Sequence, residues 1–199
     1  MAANSNPWAN MTWLNPPPDW RVTGQAELVA VSGDKTDFWQ RTFYGFQRDD
    51  GHALLARTNG DFSAQVTVQA NFTELYDQCG LMLRVSKERW VKFGVEFTDG
   101  ETHLSCVATD GTSDWSAAPL AINGPLSLRA TKLGDAVLCQ YRPVEQDDAV
   151  WRMARLLPFD KQGDVLMAGP YLCSPERAGF EVKFWGFQLT EPQQTQLHA

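Results

Sequence analysis

Cys79-Gly-Leu-Met-Leu-Arg-Val85, then Trp90-Val-Lys-Phe-Gly-Val-Glu-Phe97, then Asp99-Gly100 decide the fold. In the first run Cys79, Leu81, Leu83 and Val85 take one face, and in the second Val91, Phe93, Val95 and Phe97 do. Period two with one apolar face is the mark of a half-buried strand. Asp99-Gly100 reads as a two-residue hairpin turn, because glycine reaches positive φ freely and Asp tolerates it. Leu104, Cys106 and Ala108 continue the apolar face on a third strand. A slip of one residue would turn every apolar side chain to water, so the register can be read from the pattern. A three-residue loop would pair Val85 with Arg89. The expected rows across the three strands are then Gln78, Glu96 and His103; Gly80, Gly94 and Ser105; Met82, Lys92 and Val107; and Arg84, Trp90 and Thr109. All four lie on the non-core face.

Outward from this hairpin, the cleanest strand is Phe62 to Phe72, whose even positions from Phe62 to Phe72 are apolar and whose odd ones are polar. Thr12–Leu14, Trp20 onward, Glu27–Val31, Leu126–Thr131, Ala136–Arg142, Val150–Leu156, Leu166–Leu172 and Phe180–Leu189 also read as strands. Gln40–Asn59 shows no clear period and reads as a long aromatic-bearing loop that could fold over the non-core face. Glu145–Asp148 reads as an acidic loop. About a dozen strands with Gly-, Pro- or Asp-bearing turns and no helix point to an all-β, two-sheet antiparallel sandwich or jelly roll. The expected organisation is a flexible segment over 1–11, one β-sandwich domain over 12–189, and a C-terminal tail over 190–199.

The chain has 199 residues and a formal net charge of −7. That charge argues against non-specific nucleic-acid binding, which needs a basic footprint. Met1–Trp8 has neither the basic nor the apolar region of a signal peptide, and no run is long enough to span a membrane. Cys79, Cys106, Cys139 and Cys173 are scattered without CxxC spacing, which fits buried free thiols in the cytoplasm better than disulfides. The histidines lie far apart, so no metal site and no cofactor is expected.

The predicted non-core face carries groups that suit a sugar. Trp90 offers an aromatic face, and Gln78, Glu96, His103, Lys92 and Arg84 offer planar or charged hydrogen-bonding groups. Two readings of this face stay open. One is a binding surface, with Gly80 and Gly94 leaving room for a ligand. The other is a solvated sheet with a Glu96–His103 contact and Arg84 or Lys92 resting on Trp90. Asp37-Phe-Trp39 and Ser113-Asp-Trp-Ser116 each set an acid beside a tryptophan, either as edge packing or as the rim of the same cleft, with Trp115 among the ligand-binding candidates. If the chain is enzymatic, Glu96 and His103 are the acid–base candidates. A glycosidase needs two flanking carboxyl groups. Only Glu96 clearly lies on the face, and Asp77, Asp37 or Asp114 could supply a second carboxyl only from loops, so a non-catalytic module is favoured. Arg48-Asp-Asp-Gly-His52 lacks calcium-loop spacing, and no Gly-x-Ser-x-Gly elbow occurs.

At Asn15-Pro-Pro-Pro-Asp-Trp20, Thr36–Trp39, Leu75–Arg84, Trp90–Glu96, Ser113–Ser116, Cys173-Ser-Pro175 and Gly179-Phe180, the chain resembles a domain family of unassigned function. This is the regulator-of-enolase-like family, which includes the yeast regulator of enolase. The resemblance covers roughly residues 12 to 189. It implies a concanavalin-A-like lectin/glucanase jelly roll and transfers no catalytic residue. It also implies a link to a metabolic enzyme such as enolase, and for the yeast member to galactose metabolism. Three functions follow: a module binding a carbohydrate or sugar-derived metabolite, a regulatory domain contacting a metabolic enzyme, or a cytosolic glycoside hydrolase or lyase using Glu96.

Overall fold

The computed structural model describes residues 6–24, 26–121, 124–144, 150–160 and 164–197. The acidic loop expected at Glu145–Asp148 lies outside them, as do residues 1–5 and 198–199 of the expected terminal segments. Among the described residues the chain is all strand, in two seven-stranded antiparallel sheets and a small hairpin. The first sheet runs β1 (Thr12–Leu14), β6 (His52–Arg57), β15 (Met167–Cys173), β8 (Gln78–Ser86), β9 (Arg89–Thr98), β10 (Glu101–Asp110) and β11 (Thr112–Pro119). The second runs β14 (Arg152–Pro158), β13 (Ala136–Pro143), β12 (Leu126–Leu133), β7 (Phe62–Ala70), β16 (Glu181–Thr190), β3 (Leu28–Val31) and β2 (Asp19–Val22). The hairpin pairs β4 (Phe38–Gln40) with β5 (Gln47–Asp49). Among the described residues no helix is long and apolar enough to cross a membrane.

The register of β8, β9 and β10 matches the pattern reading row by row. Gln78 pairs with Glu96, Gly80 with Gly94, Met82 with Lys92 and Arg84 with Trp90. Glu96 in turn faces His103, and Lys92 faces Val107. One detail differs. Ser86, not Val85, pairs with Arg89, and the ladder shifts between Arg84 and Ser86. A β-bulge absorbs one residue there, so the register beyond it is unchanged. Asp99 and Gly100 both have positive φ, as a type I′ turn requires.

The inner faces of the two sheets enclose the main core, with Leu81, Phe93 and Cys106 on one side and Val66, Leu128 and Phe184 on the other. A second apolar cluster lies on the other face of the first sheet. There Phe38 and Trp39 of the hairpin pack with Ala53, Leu55, Met82, Trp90, Val107, Tyr171 and Cys173. This cluster explains why Gln40–Asn59 was misread as a loop. β6 sends Leu54 to the main core and Ala53 and Leu55 to the second one. A strand buried on both sides shows no alternation.

The termini also differ from expectation. Trp8 is buried, stacks on Phe187 at 5.5 Å, and donates Nε1–H to the Ala26 carbonyl at 2.8 Å, so residues 6–11 are not loose. In the tail, the Gln193 backbone N–H donates to Ser63 Oγ, and Gln194 Oε1 accepts from Gln140. All four cysteines are free and buried.

Candidate functional site

The hairpin covers part of the first sheet's outer face, and a cleft opens beside it. Its volume is about 210 Å³. Gln78, Lys92, Glu96 and Val107 come from the sheet, and Trp115 from the edge strand beside them. The hairpin contributes Trp39, Tyr44, Phe46 and Arg48, with Asp37 just before it. Tyr76, Pro175 and Glu176 enter from two loops.

Five aromatic side chains make a nearly continuous rim. Trp39 meets Tyr44 edge-on at 5.7 Å, and Tyr44 stacks on Phe46 at 5.3 Å. The hydroxyls of Tyr44 and Tyr76 lie 3.0 Å apart, and Tyr76 meets Trp115 edge-on at 6.3 Å. The tyrosine contact joins the hairpin tip to the sheet side of the cleft. The bond to Tyr44, then burial, pushes the Tyr76 hydroxyl up to about 12. The tip itself bends through Arg41, Phe43 and Gly45, all at positive φ, and Phe43 is 94% exposed.

Below the rim the floor is polar and buried. Glu96 Oε2 accepts from Ser105 Oγ at 2.5 Å and from Trp115 Nε1 at 3.1 Å. Burial pushes the Glu96 carboxyl up, against the pull of Lys92 and the Ser105 bond. Lys92 Nζ donates to Asp37 Oδ1 at 3.0 Å and to the Phe38 carbonyl at 2.8 Å, tying the hairpin to the sheet. Burial works against the Lys92 ammonium, but the Asp37 and Glu96 carboxylates outweigh it and its pKa rises. Gln78 Nε2 donates to the Tyr76 carbonyl at 3.2 Å, while Gln78 Oε1 is buried with no hydrogen-bond partner among the described residues. The Tyr76 bond fixes which end of the amide is which, since a flip would set two oxygens together.

Of the residues expected from sequence, the cleft brings together Gln78, Lys92, Glu96 and Trp115. It does not include Arg84, Trp90 or His103. Trp90 is fully buried against Phe38, with Lys92 Nζ 5.7 Å from its ring centre. Arg84 forks onto Asp49 of the hairpin at 2.7 and 2.9 Å. His103 is level with Glu96 in the ladder, yet its Nδ1 lies 3.2 Å from the Glu101 carbonyl and it makes no hydrogen bond to Glu96. The expected Glu96–His103 acid–base pair is therefore absent from this geometry. Tyr44, Phe46 and Tyr76 were not among the expected ligand-binding residues, and Trp39 was expected only as one alternative for the rim. The aromatic run Phe43-Tyr-Gly-Phe46 and the Asp37–Trp39 motif were the signals that could have found the hairpin's share. Asp37 and Trp115 do line one cleft. Asp114 instead faces away and pairs with Arg155 at 2.8 Å.

The Glu96 environment has a pH signature. A folded carboxyl held above its ordinary 4.5 keeps its proton longer than in the unfolded chain. As pH rises past that value the unfolded state sheds the proton first, so the folded state binds more protons and Glu96 lowers stability. Glu96→Gln, which mimics the protonated form, should melt higher than the parent at pH 7. The gap should close below pH 4.5. A variant that melts lower at pH 7 and equal in acid would show instead that Lys92 stabilises the carboxylate.

A family model described as "Protein of unknown function (DUF1349)" matches residues 13–192. The chain is 43% identical to "Regulation of enolase protein 1" of Saccharomyces cerevisiae over 189 residues, covering 94% of this chain and 92% of the relative. A crystal structure of a functionally unknown S. cerevisiae protein superposes with a TM-score of 0.87 at 39% identity, covering 94% of this chain and 99% of the other. A GH43 protein of Bacillus licheniformis superposes with a TM-score of 0.69 at 14% identity, covering 92% of this chain but 37% of the other. The last likeness concerns the sandwich fold alone.

Proposed function

We propose, starting from the fact that this chain belongs to the DUF1349 family of proteins of unknown function, that it is a non-catalytic binding module whose ligand is a carbohydrate or sugar-derived metabolite. The module corresponds to a β-sandwich domain over residues 12–189. One observation carries the reading: the aromatic-rimmed cleft has a polar floor in which Gln78 Oε1 is buried and unpartnered. A buried polar atom without a partner costs about 1–3 kcal/mol, which a ligand donor would recover. Aromatic walls with a few placed polar groups are the usual make-up of a small-molecule site. Glu96 Oε2 is already held by two donors, and Asp37 by Lys92, which favours a binding role for these carboxyls over acid–base turnover. Four buried free thiols favour a reducing, cytoplasmic setting.

The test is a thermal-shift screen against sugars, sugar phosphates and oligosaccharides. A ligand at 100 times its Kd adds about 2.7 kcal/mol of stability. The expected result is a hit that weakens in Trp115→Ala, which removes one wall. A hit insensitive to that change would place binding elsewhere, and no hit would leave the carbohydrate reading without support.

A second reading is a regulatory contact with a metabolic enzyme such as enolase, favoured by the printed name of the yeast relative. The protruding hairpin tip with Phe43 suits such a contact. Phe43→Ser should then abolish co-purification with the enzyme while leaving the melting temperature in place.

A further inference from the structure

The polar groups of the cleft floor differ by kind: its indole, amide and ammonium donors are each engaged within the protein at least once, and two of its side-chain oxygens are not engaged at all. Trp115 Nε1 is shared between Glu96 and Ser105, and Trp39 Nε1 donates to the Thr42 carbonyl. Gln78 Nε2 gives one of its two protons to Tyr76, and Arg48 is paired through Nε and Nη2 with Asp50. Lys92 spends two of its three protons on Asp37 and Phe38. One proton of the tyrosine pair remains on the rim. On the other side of the ledger, Gln78 Oε1 has no partner, and Glu96 Oε1 has no donor among the described residues.

Charge points the same way. Asp37, Glu96 and Glu176 line the cleft against Lys92 and Arg48, and both cations are already paired with a carboxylate. An anionic ligand would face Glu96 with few free donors. A hard metal cation wants six or more oxygens, which this aromatic-walled cleft does not offer. An ammonium brings three donors and no acceptor, matching the two open oxygens of the floor, and its charge is attracted by the aromatic faces.

We infer that the group seated on the floor is a protonated amine, held between Glu96 Oε1 and Gln78 Oε1 inside the aromatic rim. Resting on the carbohydrate reading above, this makes the ligand an amino sugar.

Calorimetric titration at about pH 6.5, below the pKa of an ordinary amine, tests it. The probes are glucosamine, its neutral counterparts glucose and N-acetylglucosamine, glucose 6-phosphate, and n-butylammonium as an amine without a sugar. Glucosamine should bind at least roughly tenfold more tightly than glucose, a difference of about 1.4 kcal/mol. The preference should vanish in Glu96→Gln and shrink in Tyr44→Leu, whose half-exposed site tolerates the change. Equal affinity for glucosamine and glucose, or a preference for the neutral or phosphorylated sugar, overturns the amine assignment and leaves the carbohydrate reading standing. Binding of n-butylammonium alone, lost in Glu96→Gln, supports the amine and removes the sugar. No response to any probe overturns the amine assignment outright.

Discussion

Gly94→Ala should cost at least about 4 kcal/mol, placing it among the rare severe substitutions. A Cβ at Gly94 would fall 2.1 Å from the Cys79 carbonyl oxygen and 2.7 Å from the Gly80 Cα. Gly80 meets the mirror-image obstacle, with the Phe93 oxygen at 2.1 Å and the Gly94 Cα at 2.7 Å. These are backbone atoms, so no rotamer change relieves them. The two central strands of the first sheet would have to part, and the core side chains Leu81 and Phe93, which are level in the ladder, would part with them. Overpacking that side chains can absorb costs about 1–3 kcal/mol, and a backbone collision exceeds it. Against a total stability of about 5–15 kcal/mol, that brings the domain close to unfolding. Gly24→Ala is the control, since nothing lies within 4 Å of its added Cβ. It should stay within about 0.5 kcal/mol. Denaturant midpoints of the two variants decide the matter. A Gly94→Ala chain within about 1 kcal/mol of the parent would mean that the close approach is not a fixed feature of the sheet.

The same pair shows how far the sequence could be read. Alternation and a short polar loop between the two strands were enough to place Gly80 opposite Gly94 and Gln78 opposite Glu96, because register is fixed wherever one face is buried. What alternation cannot tell is what covers the other face. The glycines looked like space kept for a ligand, yet neither lines the cleft. They permit the close strand approach, and the fully buried Tyr171 is level with Gly80 on β15. Trp90 and Arg84 looked exposed for the same reason. Their cover, Phe38 and Asp49, comes from a hairpin much earlier in the chain, and no local pattern links them. His103 fails at a finer level: its row was right, but the direction of its ring is a side-chain choice that strand register does not set.

Asp77→Ala is the second large loss, expected at about 3 kcal/mol. Asp77 is fully buried; in sequence it reads only as one of three loop acids that could partner Glu96. In the fold it is the clasp between the two loops that wall the cleft. Its Oδ1 accepts from Ser174 Oγ at 2.7 Å and Arg177 Nε at 3.3 Å, and its Oδ2 from Arg177 Nη2 at 2.5 Å. Oδ2 also accepts the backbone N–H of Glu74 at 3.2 Å. Alanine would strand these donors and leave a cavity. The Arg177 side chain is 30% exposed and can turn to water, which keeps the loss nearer the lower end of the range for a broken buried pair. The consequence for the cleft follows from the neighbours. Tyr76, next in the chain and held at positive φ, forms the rim, and Pro175 and Glu176 lie between the two residues that Asp77 grips. Asp77→Ala should therefore weaken ligand binding even though Asp77 itself does not line the cleft, and Asp77→Asn should recover part of both losses by keeping one acceptor. Arg177→Ala should cost less than Asp77→Ala, and the double variant little more than Asp77→Ala alone, because the pair acts as one unit. Additive losses in that cycle, or an Asp77→Ala chain that melts with the parent, would remove the clasp from the account of how the rim is held.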